Sequence, residues 1–251
     1  MLENTEQWNF TSTANGSVYE IKVSYPIGPK PEEGYQVYYI LDGDAYFHLA
    51  REVVRLQSKN TLKTSISKAI VVGICHQGSA KEVGEKRFYD FTPPAKEYTY
   101  PDRLKGKNLG PHGGASRFLS FLTEELMPKI QSTYHINLHK QTLFGHSLSG
   151  LFTIWAMFIR PMLFTHYLAI SPSIWWNNKE LVQYAERFTP SDDNLFMAVG
   201  SEEYYIVDDA KEMQKLLENK VKLQFHIAPE ENHASVVPTT ISRAFRYAAS
   251  V

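Results

Sequence analysis

The hydrophobic positions of this chain fall into two kinds of run that take turns. Short apolar, β-branched or alternating stretches at residues 18–25, 35–41, 69–75, 141–144, 166–170, 195–199 and 223–227 predict strands. Longer stretches with apolar residues three and four apart predict helices at 45–57, 116–130, 151–159, 179–188, 208–219 and 239–249. In the helix at 116–130 the apolar set is Phe118, Leu119, Phe121, Leu122, Leu126 and Ile130, with Pro128 inside the last turn. The run 69–75 is apolar throughout, as expected of a strand covered on both faces. Strand–helix alternation of this kind predicts an α/β fold, a mostly parallel sheet with helices on both faces. One segment breaks the pattern. Residues 76–115 are rich in Gly, Pro, Lys and aromatics without clear periodicity, and are expected to form a long irregular loop over the active site. Residues 1–12 are polar with scattered aromatics and are assigned no element. With no repeat and no shift in composition, the 251 residues are expected to form a single domain, 1–251.

Charge and composition narrow the classes of function. The formal net charge is -1 and no Lys/Arg-rich run occurs, so nothing points to nucleic acid. The single cysteine, Cys75, ends an apolar strand; it excludes an internal disulfide and reads as a buried thiol. No pair of histidines stands at ligand spacing on a credible helix, so no metal is expected. No apolar stretch has the length of a membrane span, and the first residues lack the basic start and apolar middle of a secretory signal. The expected location is cytoplasmic; a periplasmic form with its leader removed would read the same. Nothing specifies an oligomeric state.

The candidate chemistry centres on Gly145-His146-Ser147-Leu148-Ser149-Gly150, between the strand at 141–144 and the helix at 151–159. A strand that turns sharply into a helix needs small neighbours around the turning residue. Such a corner pushes the Ser147 hydroxyl outward, beside the free N–H groups and positive dipole end of a helix N-terminus. The Leu148 N–H is one expected oxyanion donor. The other is expected from Asp42-Gly43-Asp44, after the strand at 35–41, through the N–H of Gly43 or of Asp44.

A serine hydroxyl needs a base, and the base an orienting group. In a parallel sheet these belong beyond the carboxyl ends of strands, where Asp42, His76, Ser147, Glu202, Glu203 and His233 all fall. His233, after the last strand, is the expected base. The acid is Glu203, then Glu202, or is absent; Asp208 and Asp209 look like helix-starting carboxylates. His76 comes too early in the chain for the base. His146, inside the corner, serves packing and borders the substrate site. Pro111-His112-Gly113-Gly114 imitates an oxyanion motif but follows no strand, and reads as a glycine loop entering a helix.

With these residues placed, the chain resembles the putative-esterase branch of the α/β-hydrolases, and within it the siderophore (trilactone) esterases of the enterobactin and bacillibactin group. The likeness is carried by residues 40–47, Arg87-Phe88-Tyr89-Asp90-Phe91-Thr92-Pro93, residues 145–152, Ser171-Pro172-Ser173-Ile174-Trp175-Trp176, and residues 231–238. The resemblance implies an α/β-hydrolase fold and ester hydrolysis through Ser147 and His233 with Glu203 orienting, without metal or cofactor. It implies that Arg87 is a pocket arginine, against which stands an ion pair with Asp90. It implies that one of the Trp175–Trp176 pair, taken as Trp176, lines the pocket, against which stands a core position. Ser149 departs from the family's usual glycine. The expected function is a serine carboxyl-ester hydrolase acting through an acyl-enzyme on a small-molecule ester or lactone, a siderophore trilactone first. A short-chain or feruloyl-type esterase, and a non-catalytic binding protein on the same fold, stand as alternatives. A ferric tris-catecholate is strongly anionic, yet Lys81, Lys86, Arg87 and Lys96 are interleaved with Glu82, Glu85, Asp90 and Glu97, so no cationic funnel is legible.

Overall fold

A computed structural model describes residues 3–250 of the chain. Its strands are β1 (Thr5–Thr11), β2 (Val18–Ser24), β3 (Tyr35–Leu41), β4 (Ala69–His76), β5 (Ile136–His146), β6 (His166–Ile170), β7 (Asn194–Gly200) and β8 (Lys222–Ala228). They form one sheet in the order β1-β2-β4-β3-β5-β6-β7-β8. The first two pairings are antiparallel, and every pairing from β4 to β8 is parallel. The carboxyl ends of β3, β5, β6, β7 and β8 therefore line up along one edge. The helices are α1 (Gly43–Gln57), α2 (Thr61–Thr64), α3 (Ala80–Phe91), α4 (Ala115–Ser120), α5 (Met127–Thr133), α6 (Leu148–Ile159), α7 (Trp176–Arg187), α8 (Tyr205–Leu217) and α9 (Val236–Ala249).

Alternation along β3 sorts these helices into two layers. Val37, Tyr39 and Leu41 join one core with residues of α4, α6, α7 and α8. Tyr38 and Ile40 join the other with residues of α1 and α9, where Tyr38 stacks on Phe245 at 4.4 Å. A strand buried on both faces is apolar at nearly every position, which is why β3 and β4, Gln36 and His76 apart, lack the usual polar alternation. The arrangement is the α/β-hydrolase fold.

The structure departs from the sequence reading in three places. β1 lies in the stretch assigned no element; only Trp8 and Phe10 face the core there, and Glu6, Gln7 and Asn9 mask the alternation of an edge strand. The segment 76–115 is not irregular throughout, because it holds α3. That helix starts at a capping box in which Ser79 Oγ accepts from Glu82 N–H and Glu82 returns the bond to Ser79 N–H at 2.7 Å. Its weak apolar stripe hides it from periodicity. The helix expected at 116–130 widens into a π turn over Phe121–Leu126 before α5, next to Pro128, which has no N–H to give the ladder.

Candidate active site

Ser147 stands where β5 turns into α6. Its backbone adopts φ 60°, ψ −117°, a costly conformation for a residue with a side chain. The turn is tight enough that a side chain on Gly145 would run into the Ser149 carbonyl and Thr153 Oγ1. The Ser147 N–H is tied to the Ile170 carbonyl at 3.0 Å, and its own carbonyl accepts from Leu151 and Ser173 N–H. The backbone is thus held from β6 while the hydroxyl stays half-buried at the sheet edge.

Three sequence-predicted residues meet there. His233 Nε2 lies 3.0 Å from Ser147 Oγ, and His233 Nδ1 lies 2.5 Å from Glu203 Oε1. Glu203 is buried. Burial alone would raise its titration, but bonds from His233, from Ser171 Oγ and from Gly200 N–H outweigh it and hold the carboxyl below its ordinary range. A carboxylate kept ionised and gripped on both oxygens fixes the imidazole's orientation and supports it when it gains a proton. Glu202, the second candidate acid, is exposed, and its N–H is spent on the Glu231 carbonyl.

Two serines that sequence reasoning passed over complete this edge. Ser171, at φ 44°, anchors Glu203 at 2.5 Å. Ser173 Oγ lies 3.3 Å from Ser147 Oγ. Their signal was a small polar pair just past a strand, quoted for the resemblance and given no role.

The expected oxyanion donors sit on two helix N-termini side by side, since β3 and β5 are neighbours. The Leu148 N–H opens α6 and the Gly43 and Asp44 N–H groups open α1, positions with no intrahelical acceptor. Gly43 is required for a reason other than approach to substrate: a Cβ there would meet the backbone of β4, 2.7 Å from the Ile74 nitrogen. Asp44 is exposed.

Asp42 does more than precede that glycine. It is buried in the left-handed conformation, φ 52°, ψ 47°, and Arg87 grips its carboxylate with Nε at 2.7 Å and Nη2 at 3.0 Å. Ser149 Oγ lies 2.7 Å from the same carboxylate and accepts from His146 N–H at 2.8 Å. Burial would raise the Asp42 titration; Arg87 and Ser149 more than reverse this and keep it ionised. The serine in place of the usual glycine is therefore a brace between the two corners. Arg87 pairs with Asp42, not Asp90, which instead binds His76 at 2.8 Å and Tyr19 at 2.7 Å.

The remaining expected site residues are placed differently. His146 is buried, its ring 4.5 Å from that of His233 and its Nδ1 2.8 Å from the Tyr46 hydroxyl. Burial, and then the nearby His233, lower its titration to about 4, so it is a neutral ring packed beneath the base. Trp176 is 1% exposed, enclosed by Phe88, Tyr98, Tyr100 and His112. It is a core residue; Trp175 is the half-exposed member of the pair. The Gly113 and Gly114 N–H groups are spent on Thr92 Oγ1 and the Tyr89 carbonyl, so His112-Gly113-Gly114 offers no oxyanion donor from its glycines.

The model of the Putative esterase family matches residues 12–238. This chain belongs to that family. Among its relatives, the ferri-bacillibactin esterase BesA of Bacillus subtilis (strain 168) is 34% identical over 261 residues, covering 98% of this chain and 90% of the relative. A siderophore enterobactin esterase of Emericella nidulans is 31% identical over 232 residues, 86% of this chain and 76% of the relative. Among solved structures, the BES protein from Bacillus cereus superposes with a TM-score of 0.92 at 40% identity, over 100% of this chain and 98% of that one. The Putative esterase chain described here is an esterase of α/β-hydrolase fold. No helix among its described residues is long and apolar enough to cross a membrane.

Proposed function

We propose that this esterase opens siderophore trilactones through a covalent acyl-enzyme. The observation that carries the reading is the unbroken relay Ser147 Oγ–His233–Glu203, at 3.0 and 2.5 Å. Ser147 Oγ attacks the ester carbonyl and passes its proton to His233 Nε2, while Glu203 steadies the imidazolium. The Leu148 N–H and the N–H of Gly43 or Asp44 stabilise the oxyanion, aided by two helix dipoles that point the same way. Collapse expels the alkoxide, which takes the proton from His233. Water, deprotonated by the same ring, then frees the acid.

His233 leaves 44% of its side chain exposed, so the relay is reached from solvent. The relatives named for ferri-bacillibactin and enterobactin hydrolysis support the same substrate class. The test is turnover of a catecholate trilactone and of p-nitrophenyl acetate by the wild type and by Ser147→Ala. Serine-dependent opening of the trilactone, at higher kcat/KM than the acetate, is the expected result. A chain that turns over neither ester through Ser147 overturns the reading; one that turns over only the acetate leaves an esterase with another substrate.

A further inference from the structure

Next to the relay lies a cleft of about 440 Å³, built by three separate segments. Tyr100 and Arg103 come from the loop after α3, Trp175 and Lys179 from the start of α7, Tyr205 and Asp208 from the start of α8. It adjoins the chemistry. Trp175 is two residues past Ser173, whose hydroxyl is 3.3 Å from Ser147 Oγ, and Tyr205 is two residues past Glu203. Two residues span no more than about 7 Å.

The cations in this cleft are unlike each other. Lys179 is neutralised by Asp209 at 2.8 Å and Glu212 at 2.9 Å. Arg103 is held by aromatic rings instead: its guanidinium carbon lies 4.3 Å from the centre of the Trp175 ring and 4.5 Å from that of the Tyr205 ring. Among the described residues no carboxylate pairs with it and no acceptor takes its N–H groups. Two rings against the guanidinium restrain the fork while its donors stay unspent, and a fork so restrained can grip two neighbouring oxygens of one ligand. Arg87, by contrast, has already given Nε and Nη2 to Asp42.

We infer that Arg103, packed against Trp175 and Tyr205, is the specificity-determining subsite for a catechol arm of the substrate, gripping its paired ring oxygens away from the scissile ester. This rests on the trilactone reading above and answers the missing cationic funnel: one oriented fork, assembled by the fold, receives the arm. Asp208 on the rim opposes the anion and limits its affinity.

The binding test uses the Ser147→Ala protein and 2,3-dihydroxybenzamide, with benzamide as control, by calorimetric titration. Arg103→Ala is expected to weaken dihydroxybenzamide binding roughly tenfold and leave benzamide unchanged. Arg103→Lys, which keeps the charge but not the planar fork, recovers only a small part. Asp208→Asn tightens binding about two- to threefold. In the active enzyme, Arg103→Ala raises KM for a catecholate trilactone roughly tenfold at nearly constant kcat, and p-nitrophenyl acetate turnover is unaltered. Equal losses on both esters, unchanged dihydroxybenzamide affinity, full recovery with lysine, or weaker binding in Asp208→Asn would each overturn the subsite. If the wild type cleaves simple esters but no trilactone, the substrate reading fails, and the dihydroxybenzamide titration still decides the subsite by itself.

Discussion

Two corners of this molecule are built alike and used differently. Asp42 and Ser147 each end a parallel strand, each has a positive φ, and each opens a helix, on the neighbouring strands β3 and β5. At one corner the side chain is a hydroxyl kept half-open and offered to His233. At the other it is a carboxylate, sealed from water and neutralised by Arg87 and Ser149. The two backbones share a positive φ but not ψ, 47° at Asp42 and −117° at Ser147, and the one side chain is tied down while the other is left open. A carboxylate left unpaired beside these helix N-termini would weaken their positive field, and the Arg87 pairing prevents that.

Variants that break one corner and spare the other sharpen the contrast. The largest effect is expected at the open corner: His233→Ala lowers kcat on p-nitrophenyl acetate by about 10⁴-fold or more. Its denaturation midpoint stays close to wild type, because the ring is exposed. The sealed corner behaves the other way round. Asp42→Ala strands Arg87 and removes the acceptor of Ser149, at a cost of about 3–5 kcal/mol in denaturant unfolding. If Asp42→Ala unfolds at the wild-type midpoint, the fastening is decorative and the comparison fails.

His146, packed between the corners, gives a pH signature. Its titration is lowered from 6.5 to about 4 in the folded protein. Between those values the unfolded chain binds the extra proton, so this residue's share of stability is complete above 6.5 and falls as pH drops towards 4, by at most about 3 kcal/mol; buried His166, also lowered to about 4, adds a share of the same sign. Asp42 and Glu203, both depressed, begin to add their losses as pH falls through the ordinary carboxylate range, at the acid end of this window and below it. His146→Gln should roughly halve the slope between pH 6.5 and 4, as read from urea midpoints, leaving the share of His166; an unchanged slope would place the proton elsewhere. The smallest effect is at the brace. Ser149→Ala removes one bond to Asp42 and costs about 1–2 kcal/mol of stability. Ser149→Gly should do the same, and parity with wild type in both would deny the brace any role.

Much of this could be read along the chain, because it is local. The spans at 35–41 and 166–170 coincide with β3 and β6, since a run of buried strand residues is apolar at nearly every position, Gln36 and His166 apart, and stops where the turn begins. The corner at Ser147 declared itself through small neighbours, and His233 and Glu203 through their places after strands. What failed was weakly periodic or far-reaching. β1 is an edge strand with two inward residues, and α3 is a polar helix whose cap, not its stripe, defines it.

The sequence by itself determined the order of strands and helices and the identity of the nucleophile, base and acid candidates. Those depend on residues within one turn or one strand of each other. Only the tertiary structure decided which charges cancel: Arg87 with Asp42 across 45 positions, Ser171 with Glu203 across 32, and Arg103 against two rings from other segments. It also decided that Trp176 is core and Trp175 wall. The physical reason is that a charge or ring is satisfied by whatever the sheet order brings beside it. That order, with β4 inserted between β2 and β3, is set by the packing of the whole sheet and leaves no trace in the spacing along the chain.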